Sequence, residues 1–353
     1  MRVAFLSSTP PSATEGSGTF VACAGLIKGL TLLGHEVTVR PLRLRTGFHT
    51  FDRWLYNALA VLRPPVADLV VGVDLDGFLW ARRRVPATRF AVALKGVIAD
   101  ELRNERGWVR ILLGVQARWE GMNARRADRV IVPSRYSAHV ATEAYGLRPE
   151  TVRLVPEAVD VAEWRRRLEA VRRPPRDAGF RVLAVARMYP RKRLQDLLEA
   201  TALLRARIPH VQTRIVGDGP EFARLRERHT RLGLGDSVVF LGEVSRGTLT
   251  VEYMSADCFC LPTVQEGFGM VFAEAMMAGL PIVACRAGAV PEVVEDRRTG
   301  LLVNPKSPGE LAMALETLAT NEGLRKELGE AGRQHVAAFD LVPVARRFLA
   351  AVA

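Results

Sequence analysis

Residues 263–284, TVQEGFGMVFAEAMMAGLPIVA, decide the fold class of the second half of this chain. The stretch follows an apolar run at 258–261. Its pattern predicts a loop, a helix at 269–278 that Gly279 ends, and a buried strand at 281–284. Buried strands joined through a helix are typical of parallel sheets. The stretch therefore indicates a doubly wound α/β domain.

The same stretch combines an anion site with two carboxylates. Gly267 and Gly269 let backbone N–H groups approach a ligand closely, and the first N–H groups of a helix favour an anion such as phosphate. Glu266 precedes this site, and Glu274, eight residues later, lies about one turn inside the helix. Each carboxylate accepts hydrogen bonds from hydroxyl groups such as those of a sugar or a ribose. The stretch predicts a sugar-nucleotide site, with two solvated glutamates as the alternative.

Apolar runs and helical patterns alternate along the whole chain. Predicted strands occupy residues 3–6, 36–40, 68–73, 90–94, 129–132 and 152–155, and then 181–186, 212–216, 237–241, 258–261, 281–284 and 300–303. Predicted helices occupy residues 18–33, 194–207, 220–232, 246–254, 269–278, 307–320, 322–338 and 341–352. The arginine-rich segment 164–180 contains Pro174 and Pro175 and is predicted to link domain 1–163 to domain 181–338.

Length and composition predict a globular protein of two domains. The chain has 353 residues, of which 48% are hydrophobic and 25% are charged. No apolar run approaches the roughly 20 residues of a membrane span. The apolar run at 3–6 is too short for a signal peptide and predicts a first buried strand instead. We therefore expect a cytoplasmic protein.

The chain is strongly basic, with a net charge of +12 and a pI of about 10.3. Most of the basic residues are arginine, as in GC-rich genomes, so we do not predict a nucleic acid partner. The charge favours an anionic substrate or an anionic membrane surface. Residues 103–129 combine arginines with apolar side chains at helical spacing, including Trp108 and Trp119. This segment predicts either a helix packed on its own sheet or peripheral membrane contact.

Residue types that bind metals occur without metal-ligand spacing. The four cysteines and six histidines form no recognisable ligand pattern, and the cysteines lie in apolar settings typical of reduced core residues. Asp74 and Asp76 form a D-x-D pattern, which can hold a divalent metal on a diphosphate. We favour a polar turn after a buried strand. No metal and no cofactor besides a nucleotide sugar are predicted.

Two cations follow the first strand of the second domain. Arg187 comes directly after strand 181–186 and Lys192 five residues later, so both are expected at the carboxyl edge of the sheet, where ligands bind. Arg187 suits bidentate contact with a diphosphate and Lys192 a point charge on it. A solvated basic loop is the alternative. Glu243 and Val244 follow strand 237–241, where their backbone is placed to contact a base edge.

Two glycines near the start of the chain offer a further anion contact. Gly16 and Gly18 lie in the segment EGSGT, which is predicted to connect the first strand to the first helix. Glycines in such a loop permit close backbone approach to a phosphate. A plain flexible loop is the alternative, because the segment lacks the GxGxxG fingerprint.

These motifs together resemble the retaining glycosyltransferases of family 4. The resemblance rests on the E-x7-E string from Glu266 to Glu274, on Arg187 with Lys192, on VGDGPE at 216–221 and on GHEVTV at 34–39. It implies the GT-B fold, with two Rossmann-like domains facing a central cleft. Domain 1–163 would bind the acceptor, domain 181–338 the nucleotide-sugar donor, and segment 339–353 would cross back to the first domain.

The resemblance also implies roles for individual residues. Glu266 would hold hydroxyls of the donor sugar and Glu274 those of the ribose of a UDP or GDP sugar. Arg187 and Lys192 would stabilise the departing diphosphate. The remaining donor contacts would come from Gly267, Phe268 and Gly269 at the sugar, from Met270, Val271, Gly16 and Gly18 at the phosphates, and from Glu243 and Val244. Hexosyl transfer without a metal ion would follow.

The first domain departs from the family pattern at two positions. Lys95 stands where the family usually has a histidine, and Glu157 replaces the asparagine of the usual N-G-V-D string. Lys95 is expected either to act as a catalytic cation near the sugar or phosphate, or to mark a different activity. Both departures fall on the acceptor side. The acceptor, whether glycan, lipid or small molecule, is therefore not predicted.

Other functions fit parts of the pattern. A GT-B enzyme other than a transferase, such as a sugar-nucleotide epimerase or a glycosyl phosphorylase, shares the fold. A sugar-nucleotide-binding protein without activity is consistent with the change at Lys95. A nicotinamide dehydrogenase fits least, because the GSG segment lacks both the fingerprint and its acidic residue.

Overall fold

A computed structural model describes residues 1–9, 13–42, 46–84, 87–171 and 179–353 of the chain. The chain divides into two compact units, which are described separately. Unit 1 comprises Met1–Val159 together with Phe339–Ala353, and unit 2 comprises Asp160–Ala338. Each unit is built around one parallel sheet of six strands. The predicted α/β class with two Rossmann-like domains is therefore confirmed.

The sheet of unit 1 has the strand order β2-β1-β3-β4-β5-β6, and all neighbouring strands are parallel. Its strands are β1 (Arg2–Leu6), β2 (Glu36–Arg40), β3 (Leu69–Val73), β4 (Arg89–Ala93), β5 (Arg129–Val132) and β6 (Val152–Leu154). The central strands β1, β3 and β4 are almost entirely buried, as expected for strands covered on both faces.

The sheet of unit 2 has the order β12-β11-β10-β7-β8-β9 and is also parallel. Its strands are β7 (Phe180–Val185), β8 (Val211–Val216), β9 (Val238–Gly242), β10 (Cys258–Leu261), β11 (Ile282–Cys285) and β12 (Gly300–Val303). Strands β10 and β11 are fully buried. The chain reverses its direction of winding between β7 and β10, so these two neighbours mark the switch point of the sheet.

Helices connect successive strands in both units. Those of unit 1 are α1 (Ala13–Leu32), α2 (His49–Leu62), α3 (Ile98–Glu101), α4 (Gly107–Ala124) and α5 (Arg135–Tyr145). Those of unit 2 are α6 (Val161–Ala170), α7 (Leu194–Leu204), α8 (Phe222–Arg231), α9 (Arg246–Ser255), α10 (Met270–Met277), α11 (Val290–Val293), α12 (Pro308–Thr320) and α13 (Glu322–His335). Short 3-10 turns lie at Trp80–Arg82, Leu102–Asn104, Pro149–Thr151, Pro190–Lys192, Gly235–Ser237 and Val336–Phe339.

The C-terminal helix α14 (Leu341–Val352) belongs to unit 1, where it packs along α1. Gly29 of α1 faces this contact, and a Cβ atom added there would lie 2.5 Å from the Leu341 carbonyl oxygen. A side chain at this position would therefore push the two helices apart. Phe348 of α14 is buried in the same apolar cluster as Leu26 and Val71, which ties the C-terminal segment to the core of unit 1.

Two expectations about local structure were wrong. Helix α1 begins at Ala13, so Gly16 and Gly18 lie within a helix and not in a connecting loop. Glycine weakens a helix by only about 1 kcal/mol per residue, and the packing of the rest of α1 outweighs that cost. Residues 164–170, expected in a linker, belong to α6, where the Asp160 carboxylate accepts a hydrogen bond from Glu163 N at 3.0 Å. Residues 172–178, with both prolines, lie outside the described residues.

Within the described ranges, no helix combines the length and apolar character that a membrane crossing requires.

Candidate active site

The switch point of unit 2 gathers four loops at one edge of the sheet. The strands β10, β7, β8 and β9 are consecutive neighbours, and each is parallel to the next. Their carboxyl ends therefore lie side by side. Glu266 follows β10, Arg187 and Lys192 follow β7, and Glu243 follows β9. The fold thus brings together charged residues that are far apart in the sequence, where ligands of open α/β sheets bind.

Lys192 and Glu266 form an ion pair across the switch point. The Lys192 ammonium donates a hydrogen bond to Glu266 Oε1, and the two side chains are only 12% and 10% exposed. The two loops are also joined through their backbones, because Val264 N donates to the Arg191 carbonyl oxygen at 3.0 Å. Gly288 lies directly against Glu266, and a Cβ atom added there would be 2.9 Å from the Glu266 nitrogen. The position of Glu266 is thus fixed from two sides.

Arg187 forms a second, more exposed pair. Its guanidinium donates to Glu243 Oε1 at 3.0 Å, and both side chains are about half exposed. The loop carrying Arg187 is held by the turn after β8. Met188 N donates to the Asp218 carbonyl oxygen at 2.9 Å, and Gly217, with φ of 118°, packs so tightly that an added Cβ would lie 2.1 Å from the Ala186 carbonyl oxygen.

The VGDGPE turn therefore positions the Arg187 loop. From the sequence, this segment contributed to the family resemblance, but its contact with the Arg187 loop was not predicted. The two glycines in four residues, directly after a buried strand, were the signal that a backbone passes close by.

Helix α10 presents its N-terminus at the same edge. Gly269 precedes it in the left-handed region, with φ of 89°, and an added Cβ would lie 2.6 Å from the Phe272 ring. Phe268 is buried under the loop. Met270 and Val271 form the first turn of the helix and are partly exposed. The first N–H groups of a helix lack intrahelical partners, which makes this end suited to an anion.

Glu274 is partly buried on α10 and lies next to Tyr253 of α9. The Tyr253 hydroxyl donates to Glu274 Oε2 at 2.9 Å. Removal from water raises the pKa of the Glu274 carboxyl to about 7, although the Tyr253 hydrogen bond and the charges of Arg167 and Arg246 lower it. Near neutral pH this carboxyl therefore exists in both its charged and its neutral form.

In unit 1, the two positions that depart from the family pattern contact each other. The Lys95 ammonium donates to Glu157 Oε2 at 2.7 Å, and the side chains are 8% and 5% exposed. Burial acts to lower the pKa of Lys95, but attraction to Glu157, Cys23 and Asp74 outweighs it and raises the pKa. Lys95 is therefore a charged, buried and paired side chain. Its expected catalytic role stays a prediction.

The D-x-D aspartates are enclosed in the turn after β3. Asp76 accepts hydrogen bonds from Ser8 N at 2.6 Å and Ser8 Oγ at 2.7 Å, and Asp74 Oδ1 accepts from Lys95 N at 2.8 Å. Burial raises the pKa of Asp74 to about 6. Among the residues that the structure describes, no three His, Cys, Asp or Glu side chains are grouped as metal ligands.

The remaining predicted donor residues are not all at this edge of unit 2. Val244 directly follows Glu243 after β9. Gly267 lies in the loop between Glu266 and α10. Gly16 and Gly18 lie in α1 of unit 1, and a Cβ atom added at Gly18 would have open space around it.

The sequence of unit 2 matches a known family. Residues 168–335 match the family model for glycosyl transferases group 1. Unit 2 is therefore a glycosyl transferases group 1 domain. The resemblance drawn from the E-x7-E string and the two cations is confirmed, because all of these residues lie within the matched range.

Named relatives that this chain resembles act on different substrates. It is 33% identical over 196 residues to a GDP-mannose-dependent alpha-(1-6)-phosphatidylinositol monomannoside mannosyltransferase of Mycobacterium tuberculosis, covering 54% of this chain and 49% of the relative. It is 33% identical over 239 residues to a D-inositol 3-phosphate glycosyltransferase of Kribbella flavida, covering 64% of this chain and 56% of the relative. The chain thus spans about half the length of these relatives.

Solved structures show the same fold over the whole chain. Sucrose-phosphate synthase from Thermosynechococcus elongatus superimposes with a TM-score of 0.80 at 22% identity, covering 99% of this chain and 97% of that one. HepE from Anabaena in complex with UDP gives a TM-score of 0.74 at 22% identity and covers 99% of both chains. The predicted GT-B fold is confirmed.

Proposed function

We propose that this protein is a retaining glycosyltransferase, which moves a hexose from a nucleotide diphosphate sugar to an acceptor hydroxyl without a metal ion. The observation that carries the proposal is the Lys192–Glu266 ion pair at the switch point of a glycosyl transferases group 1 domain. The GDP-mannose dependence of one named relative and the UDP bound to HepE support a UDP or GDP sugar as donor.

The contacts of unit 2 suggest how the donor would be held. The partly buried Glu266 would accept hydrogen bonds from sugar hydroxyls while Lys192 keeps it in place. The first N–H groups of α10, at Met270 and Val271, would bind a phosphate. Glu274 would accept the ribose hydroxyls in its charged form. Arg187 would exchange Glu243 for the diphosphate, because both side chains are half exposed and free to reorient.

The positive charges at this edge are placed to stabilise the negative charge that develops on the diphosphate during transfer. The acceptor oxygen attacks the anomeric carbon from the face that the leaving group occupies, while the bond between that carbon and the phosphate oxygen breaks. The acceptor proton passes to the leaving phosphate oxygen. Negative charge that grows on the diphosphate is stabilised by Arg187, Lys192 and the N-terminus of α10. These groups supply the positive charge that a metal ion would otherwise provide.

The test is release of nucleoside diphosphate from a panel of UDP and GDP hexoses, with water or added sugars, lipids and glycans as acceptors. We expect release from at least one donor, unchanged by EDTA, and about a hundredfold lower kcat for Lys192→Met. The matched control is Lys326→Met, because Lys326 forms an exposed ion pair with Glu322 on α13. Loss of release with EDTA would contradict the metal-independent step.

A nucleotide-sugar-binding protein without transferase activity is the second candidate. The buried pair of Lys95 with Glu157 favours it, since this lysine is not exposed to a ligand in unit 1. Saturable donor binding with no release for any donor and acceptor would support this candidate over the transferase.

A further inference from the structure

Unit 1 exposes a cluster of large apolar side chains on two adjacent helices. Three come from the start of α2 and its flank, and three from the first half of α4. We call these six residues, Phe48, Phe51, Trp54, Trp108, Ile111 and Leu112, the aromatic ridge. Trp108 is 75% exposed and Phe48 is 72% exposed. A groove of about 430 Å³ is lined by Phe48, Phe51 and Trp54 together with Leu112 of α4. Trp108 and Ile111 lie about one turn or less before Leu112 on the same helix.

The two helices that carry the ridge are joined by hydrogen bonds. Arg53 of α2 donates to Gln116 Oε1 at 3.0 Å, and Gln116 donates to Thr50 Oγ1 at 2.8 Å. The rings of Phe51 and Trp54 stack with centroids 5.9 Å apart. The second half of α4 is anchored by buried residues from Gln116 onward. The apolar groups are therefore displayed by an ordered scaffold and are not the ends of a loose segment.

The surroundings of the ridge are basic. Residues 107–119 contain no aspartate or glutamate. Arg106, Arg110 and Arg118 are exposed on or beside the same helix. Exposed tryptophan and aliphatic side chains among arginines are typical of segments that lie in the interface of an anionic bilayer. Arg106 and the first turns of α4, through Leu112, are exposed on every side. A bilayer can surround such a segment, whereas a protein partner would contact only one of its faces.

We propose that the aromatic ridge docks unit 1 onto an anionic lipid bilayer, with the rings at the level of the headgroups and the arginines on lipid phosphates. The proposal is independent of the transferase activity. Apolar burial supplies one part of the binding, and electrostatic attraction, which salt screens, supplies the other.

The test is co-sedimentation of the full chain with vesicles of phosphatidylcholine alone and of phosphatidylcholine with phosphatidylglycerol at three to one. We expect binding to the anionic vesicles, weak binding to the neutral ones, and, in 0.5 M salt, binding to the anionic vesicles that falls to the level of the neutral ones. Trp108→Ser/Ile111→Ser should lower the partition coefficient at least tenfold. Arg106→Gln/Arg110→Gln should lower it about fivefold per arginine on anionic vesicles.

Matched controls carry the same substitutions on unit 2. Leu203→Ser/Met313→Ser removes two side chains that are 53% and 55% exposed, and Arg165→Gln/Arg226→Gln removes two exposed arginines. Both should bind as the unmodified chain does. The proposal would be overturned if the chain did not bind vesicles, or if the ridge and control variants lost vesicle binding equally. It would also be overturned if light scattering showed a dimer that only the ridge variants abolish.

Discussion

Removing one partner of the Lys95–Glu157 pair should destabilise unit 1 severely. The pair joins two side chains that are 8% and 5% exposed, with a 2.7 Å contact between Nζ and Oε2. Glu157→Leu would leave the Lys95 ammonium buried and without its carboxylate. An uncompensated charge in such a site costs about 3–5 kcal/mol. For a unit of this size, that corresponds to a fall in melting temperature of roughly 10 °C.

The size of the effect depends on the pairing and not on either residue alone. Lys95→Met should cost a similar amount, because it leaves the Glu157 carboxylate buried. The double variant Lys95→Met/Glu157→Leu removes both charges, and we expect it to be more stable than either single variant.

Tryptophan fluorescence during urea unfolding is a suitable assay. Four of the five tryptophans, Trp54, Trp80, Trp108 and Trp119, lie in unit 1, so the signal reports mainly on the unit that contains the pair. Additive costs, with the double variant as unstable as the sum of the single ones, would refute the reasoning. They would mean that the two side chains do not depend on each other.

Further predictions concern unit 2. The pKa of Glu274 is raised to about 7 in the folded state, so the fold retains a proton that the unfolded chain loses near pH 4.5; unfolding free energy should therefore fall by up to about 3 kcal/mol between pH 5 and pH 8. Glu274→Gln should remove this pH dependence, measured as the difference in unfolding free energy between urea denaturation at pH 5 and at pH 8. An unchanged difference would show that Glu274 is not the group responsible. Glu243→Gln should strengthen nucleoside diphosphate binding up to about fivefold in calorimetry, because Arg187 loses a competing carboxylate; weaker binding would contradict this. Gly217→Ala should lower both stability and turnover, since its Cβ would lie 2.1 Å from Ala186 O, whereas Gly309→Ala, with open space, should change neither.

The sequence predicted every strand of the two sheets to within one residue at each end, because buried parallel strands are continuous apolar runs. Helix starts were less predictable. The two glycines of α1 suggested a loop, and the arginine-rich α6 suggested a linker, since local patterns do not reveal the packing that stabilises them. Helix α2 was not predicted, because tertiary contacts decide such segments.

The sequence pattern also did not predict which site residues pair with each other. Glu157 lies 62 residues from Lys95, and Glu243 lies 56 residues from Arg187, so only the folded sheets bring them together. Lys192 and Glu266 were both predicted site residues, but their mutual ion pair was not. The raised pKa of Glu274 depends on its burial beside Tyr253, which no spacing in the sequence indicates.

Binding of UDP and GDP to the full chain tests the central claim most directly, because it asks whether the switch point of unit 2 is a nucleotide-sugar site. Titration calorimetry should give saturable binding of at least one of the two nucleotides. Affinity should fall at least tenfold in Glu274→Ala and in Arg187→Met, and should be unchanged in Lys326→Met. Absence of binding, or equal affinity in all four proteins, would contradict the account.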